Sequence, residues 1–184
     1  WDAWQAYKAT RDEISFELAK PAAADVTVRK ATFGDIDELV RLRLALLRED
    51  GELPEDAVPQ MTQATKEYFS WALPTGQLHA WVAEVEGGIV GMSGLVSLQR
   101  PPYPGNASGK EAYLLNQYTV PEHRNQGIAG AIVKEAIDGA RSLGAGRIFL
   151  DATHAAEGVY RAAGFRHVGK GKPREELIEM ELML

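Results

Sequence analysis

Cysteine is absent from this chain of 184 residues, which removes disulfides, thiolate nucleophiles and cysteine-based zinc sites and fits a reducing, cytoplasmic setting. No apolar run approaches the roughly 18 to 20 residues that cross a bilayer, and the N-terminus lacks the basic-then-apolar layout of a signal peptide. A soluble protein without a membrane partner is the expectation. Positive charge is also in deficit: 20 Lys and Arg stand against 26 Asp and Glu, a net charge of −6. That balance argues against a nucleic-acid partner, whose phosphates require a clustered cationic face. Internal repeats and low-complexity tracts are missing, and no metal-ligand set is expected. The chain opens on Trp1, which leaves open a trimmed N-terminus or a longer parent protein.

What is present is 45% hydrophobic residues, enough for one ordinary core and short for two. Trp4, Tyr7, Ile14 and Leu18 recur at helical spacing before Pro21 breaks the pattern, so residues 1–24 read as an appended helix and linker. Residues 25–184 read as the main domain. Val26 to Thr32 alternates as a strand, and Thr32 with Asp35 forms a capping signal for a helix that buries Ile36, Leu39, Val40, Leu44 and Leu47. A second helix is expected near Gln60 to Ala72, then two strands joined at Gly87-Gly88, the pair a tight hairpin turn favours. A polar loop, Gln99 to Lys110, leads into a long strand ending at Val120. After it come a helix from about Gly127 to Leu143, a strand over Arg147 to Thr153, a short helix closed by Gly164, and an alternating strand over Ile178 to Leu184. The order predicts one sheet with helices on its faces, α/β or α+β.

The stretch Thr119 to Ile137, TVPEHRNQGIAGAIVKEAI, opens a helix with Gly127 and Gly130, although each glycine costs a helix about 1 kcal/mol relative to alanine. A strand running into a helix N-terminus leaves the first helical N–H groups unpaired at the positive end of the dipole, a ready site for phosphate. Gly127, Ala129 and Gly130 keep side-chain bulk off that approach, and Arg124 adds a full charge and planar donors. The competing reading is a sharp turn with a solvated arginine. No Lys-Ser/Thr follows the loop and Gly-x-Gly-x-x-Gly is missing, so neither an NTPase nor a dinucleotide fold is supported.

Val120, Pro121, Arg124, Gly127 and Ala129, followed by a helix, a strand and Tyr160-x-x-x-Gly164-Phe165, resemble the GNAT superfamily of acyl-CoA-dependent N-acyltransferases. The likeness runs from about Asp25 to Leu184 and is sharpest over Leu114 to Phe165. It implies a mixed, mostly antiparallel twisted sheet of about six to seven strands, splayed at a central parallel pair. It implies acetyl-CoA as cosubstrate, its pyrophosphate on Arg124, Asn125, Gln126, Gly127, Ile128, Ala129 and Gly130. Its pantetheine arm would pair with the backbone of Tyr118, Thr119 and Val120. Thr153 stands where many relatives carry an asparagine near the pantetheine, and Ala129 where glycine is also common.

The resemblance also gives Tyr160 a task, against its plain reading as a core aromatic. A phenol of ordinary pKa about 10 stays protonated at neutral pH and can donate to the departing thiolate, while a backbone N–H of Tyr118 or Thr119 polarises the thioester carbonyl. The ammonium acceptor must lose a proton, often through a bound water. Glu111, Asp151 and His154 are candidates for that base region, and Asn116 could hold the water.

The acceptor is read from weaker signals. Glu49, Asp50, Glu52, Glu55 and Asp56 would favour a cationic amine, whereas Arg166, Lys170, Lys172 and Arg174 before the last strand would favour a carboxylate. The leading expectation is acetyl transfer to a primary amine of a small molecule. A protein or peptide amine, and a non-catalytic acyl-CoA-binding module of a longer protein, are the alternatives; a homodimer is left open.

Overall fold

The computed structural model describes residues 25–168 and 177–184. The helix and linker expected over residues 1–24 lie outside the described residues, as do Lys170, Lys172 and Arg174 of the basic turn.

Seven strands form one sheet: β1 (Thr27–Lys30), β2 (His79–Val85), β3 (Gly88–Gln99), β4 (Lys110–Thr119), β5 (Arg147–Ala152), β6 (Arg166–His167) and β7 (Ile178–Met183). Their order across the sheet is β1-β2-β3-β4-β5-β7-β6, with every neighbouring pair antiparallel except β4 and β5. The last strand in the chain thus lies inside the sheet, between β5 and β6.

Helices α1 (Ile36–Glu49) and α2 (Val58–Ala72) cover one face; α3 (Ile128–Ser142) and α4 (Glu157–Ala162) cover the other. Each buries the stripe its periodicity presents. Leu39, Leu42 and Phe69 join one core cluster, while Ile132, Val133 and Ala136 of α3 join the other with Tyr160 and Phe165. Full burial of an aliphatic side chain stabilises by about 1.5–3 kcal/mol, so these stripes hold the layers together. At Gly139 a Cβ would overlap the Trp81 ring, so the missing side chain lets α3 sit down on β2.

The entry to α1 follows the capping signal. Asp35 accepts from the Thr32 backbone N–H at 2.7 Å and from its hydroxyl at 2.8 Å, and both Arg29 Nη atoms grip its carboxylate. The β2–β3 hairpin differs by one residue from the expected Gly87-Gly88. The tight turn is Glu86-Gly87, at φ 50° and 81°, and Gly88 already pairs with Val85. A turn of this hand needs positive φ at both central residues, and Glu86 accepts the less favourable one.

Two irregularities shape the middle of the sheet. Met92 pairs with Tyr118 and Gly94 with Leu115, so Asn116 and Gln117 face Ser93 alone: a β-bulge, with Asn116 left-handed at φ 54°. Secondly, β4 and β5 pair only at Glu111↔Arg147, Ala112↔Ile148 and Tyr113↔Phe149. Beyond that point β4 stays with β3 and β5 with β7. The parallel pair therefore parts into a V whose open end meets the start of α3. No helix among the described residues is long and apolar enough to cross a membrane.

Candidate active site

The residues before α3 form a short 3-10 turn, Pro121–His123, and then the loop. Asn125 (φ 61°) and Gly127 (φ 82°) are both left-handed, and Gly127 is the N-cap residue of α3. Alternating left- and right-handed residues turn successive N–H groups toward one concavity. Among the described residues, the N–H groups of Asn125, Gln126, Gly127, Ile128, Ala129 and Gly130 find no backbone acceptor; the first bond of the helix is Ala131 N–H to Gly127 at 3.0 Å. A Cβ on Gly127 or Gly130 would meet nothing within 4 Å, so the approach is clear. This is an anion cradle built from backbone alone.

Arg124 departs from the free guanidinium expected of it. Its Nε donates to the Thr119 carbonyl at 2.9 Å, while Nη1 and Nη2 grip the two oxygens of Glu49 at 2.8 and 2.6 Å. The guanidinium also lies over the Tyr118 ring, 5.4 Å from its centre. The bond to Glu49 raises the Arg124 pKa, and the same bond lowers that of Glu49. Tyr118 and Thr119 are buried, and the Val120 N–H bonds to Val90 at 2.9 Å.

Strand alternation sorts the remaining candidates. Ala112 and Leu114 of β4, with Ile148, Leu150 and Ala152 of β5, belong to the core under α3 and α4. Tyr113, Phe149 and Asp151 therefore project from the opposite face, the side of α1 and α2. There the Tyr113 hydroxyl donates to the Asp151 carboxylate at 3.1 Å, and Tyr113 stacks against Phe149 with ring centres 5.1 Å apart. Burial raises the Tyr113 pKa first, and the Asp151 charge adds to it. Tyr113 is a residue that sequence reasoning passed over; its place two residues from Glu111 on the same strand face was the available signal.

Tyr160 lies on the α3 and α4 side, 5% exposed, its ring edge-on to Phe165 at 5.8 Å. Its hydroxyl has no hydrogen-bond partner among the described residues. Burial, with a smaller contribution from Tyr113, pushes its pKa up to about 12. Thr153 is exposed at the end of β5, and its carbonyl accepts from the N–H groups of Ala156 and Glu157 to start the turn into α4. Asn116 marks the bulge in the open arm of the V.

Glu111 is placed elsewhere. It is 1% exposed at the closed end of the V and accepts from the Tyr103 hydroxyl at 2.6 Å. Arg100 stands 2.9 Å away and Arg147 3.4 Å. About seven residues of strand, at roughly 3.3 Å each, separate it from the Tyr118 end of β4. A carboxylate held by two guanidiniums and a phenol ties together the closed end of the V, away from the cradle. His154 is exposed beyond β5.

The sheet parts at one parallel pair, and unpaired N–H groups at the start of α3 stand at the mouth of the gap. A model described as the acetyltransferase (GNAT) family matches residues 44–165, and the chain belongs to that family of acyltransferases. Human N-acetyltransferase 8 is 33% identical over 113 residues, which is 60% of this chain and 46% of the relative. Human N-acetyltransferase 8B gives the same figures, 33% over 113 residues, 60% and 46%. This chain thus spans about half the length of the curated relatives it matches.

Solved structures agree with the fold. A predicted acetyltransferase from Clostridium acetobutylicum, crystallised with acetyl-CoA, is 28% identical at a TM-score of 0.68, covering 82% of this chain and 96% of its own. A GCN5-related N-acetyltransferase from Ralstonia eutropha JMP134 is 26% identical at 0.69, covering 81% and 98%. The mixed seven-stranded sheet with its parallel pair β4 and β5 is the arrangement the resemblance implied.

Proposed function

We propose that this chain transfers the acetyl group of acetyl-CoA directly to a primary amine of a small-molecule acceptor. The observation that carries the reading is the run of unpaired N–H groups over residues 125–130 at the mouth of a gap flanked by Tyr160 on one face and Asp151 on the other. The cradle takes the pyrophosphate on the N–H groups of Asn125, Gln126, Gly127, Ile128, Ala129 and Gly130. The open arm of β4 runs along the pantetheine arm at Tyr118 and Thr119 and ends at Val120, whose N–H is bonded to Val90 and whose carbonyl accepts from His123; Thr153 borders that arm from β5.

Asp151, directly or through a water that Asn116 helps to hold, takes the proton from the ammonium acceptor on the α1 side. The amine nitrogen then bonds to the thioester carbon, and a β4 N–H near Tyr118 steadies the oxyanion. As that intermediate collapses the carbon–sulfur bond breaks, and Tyr160 gives its proton to the sulfur from the opposite face. The second proton on the nitrogen leaves through water, from which the Tyr160 phenolate recovers its own, while Asp151 releases the first to solvent. A phenol with a pKa near 12 keeps that proton across the working range. Acid and base are thereby held on opposite sides of the bond being exchanged.

Thiol release from acetyl-CoA, measured across a panel of small amines beside a panel of peptides, tests the reading. Release with small amines, slowed about 10- to 10⁴-fold by Tyr160→Phe, is the expected outcome. Release with peptides alone would move the acceptor to proteins. Binding of acetyl-CoA without release for any amine would make the chain a binding module.

A further inference from the structure

Glu49 is the last residue of α1, where the partial negative charge of a helix C-terminus disfavours an anion. Its neighbours make the placement worse: Asp50 has its carboxyl pushed up by burial, and then by the charges of Glu52 and Glu49. A carboxylate set against local electrostatics in this way needs a partner, and Arg124 supplies one across 75 positions of sequence. The contact is a planar two-bond fork, which fixes direction as well as distance. Glu49 is also within 3.4 Å of the Tyr118 hydroxyl, and Arg124 ties back to the Thr119 carbonyl.

Both side chains are largely open to water, at 37% and 45% exposure, so the pair adds little to global stability. What the fork does fix is the start of the cradle. Arg124 immediately precedes left-handed Asn125, and its three bonded nitrogens leave the guanidinium one orientation. Without Glu49, two of those bonds vanish, and the first N–H groups of the loop lose the anchor that aims them. Tyr118, beneath the guanidinium, would lose its cover at the same time.

We infer that Glu49 is a positioning residue for coenzyme binding, acting through Arg124 to preorganise the pyrophosphate cradle. The inference rests on the cradle reading above. It also gives a role to a guanidinium whose donors point to protein groups and not to the ligand side.

The test compares two acetyl donors. S-Acetylpantetheine carries the thioester arm but no pyrophosphate, so only acetyl-CoA senses the cradle. In Glu49→Gln the KM for acetyl-CoA should rise about 10-fold, the scale of one lost hydrogen bond to a charged group, and by a clearly larger factor than the KM for S-acetylpantetheine, whose arm meets Tyr118 and Thr119 but not the cradle. Glu49→Asp, which keeps the charge on a shorter arm, should recover part of the loss. Calorimetric titration with coenzyme A gives the same comparison without turnover, and a thermal melt reports whether each variant is folded. An equal rise for both donors, or unaltered acetyl-CoA binding in folded Glu49→Gln, overturns the inference while leaving the cradle in place. Failure of the unaltered protein to bind coenzyme A would overturn the cradle reading, and this inference with it.

Discussion

Tyr160 shows how one side chain carries two accounts that separate in experiment. It is a core aromatic, edge-on to Phe165, and also the only side-chain hydroxyl on the short helix α4, the one proposed above as the proton donor. Its folded pKa of about 12 lies above the unfolded value of about 10. A group raised in this direction contributes stability that is fully present below the unfolded pKa and is lost as pH climbs toward the folded one. Stability should therefore hold to about pH 10 and decline toward about pH 12. Because Tyr113 and Tyr118 are shifted the same way, the readout is a difference: chemical denaturation of Tyr160→Phe should show a shallower alkaline decline than the unaltered chain. Identical slopes would mean that the phenol is not buried in solution as the structure has it. The core packing of Tyr160 with Phe165 is legible from spacing, because the two sit close in sequence, whereas its proposed role comes only with the family resemblance. Glu49 and Arg124 are not legible in this way, since their meeting depends on how α1 and the end of β4 come together.

Among the elements, the loop into α3 makes the sharpest commitment. Gly127 combines a left-handed backbone with open space where a side chain would be, so Gly127→Asp costs roughly 1 kcal/mol of backbone strain yet meets no steric block. Its carboxylate would stand where a pyrophosphate should lie. The variant is expected to keep its circular-dichroism spectrum and lose coenzyme A binding by calorimetry; retained affinity would remove the phosphate role of the loop. The glycines of this loop, the capping pair Thr32 and Asp35, and the apolar stripes of α1 and α3 were all readable in advance, because each is a local signal. The bulge at Asn116 was not: it carries no glycine, and its extra residue shows only once β3 is laid beside β4. The partners of Glu111 were hidden for a similar reason. Its strand position pointed to the central pair, but Arg100 and Arg147 arrive from a loop and from β5, and only the fold shows that they pair with its carboxylate.

At the scale of the molecule, the decisive feature is that the parted strands lie between two helical layers. Tyr160 packs in the layer of α3 and α4, and Asp151 with Tyr113 lies on the side of α1 and α2. Under the proposed direct transfer, donor and acceptor need not take turns. Initial-rate measurements should give intersecting lines when both substrates are varied, the mark of a ternary complex. Parallel lines, the ping-pong pattern of a covalent acetyl-enzyme, would contradict direct transfer. Strand order was the least legible property at this scale. The chain gives β6 and β7 in sequence, and only long-range pairing places β7 against β5 with β6 outside it.

The parted strands have one more consequence. Beyond Tyr113, β4 carries a row of backbone donors and acceptors that β5 does not meet. At the border of a sheet such a row invites pairing with a foreign chain, and with it aggregation. Here it runs down the middle of the sheet, roofed by α3 and α4 on one face and by α1 and α2 on the other, and it narrows toward the Glu111 anchor. A polypeptide strand would have to seat side chains against both layers to enter. The protein thus keeps an unpaired edge in permanent readiness, sheltered by its own helices from the misassembly that an outer edge of the same length would court.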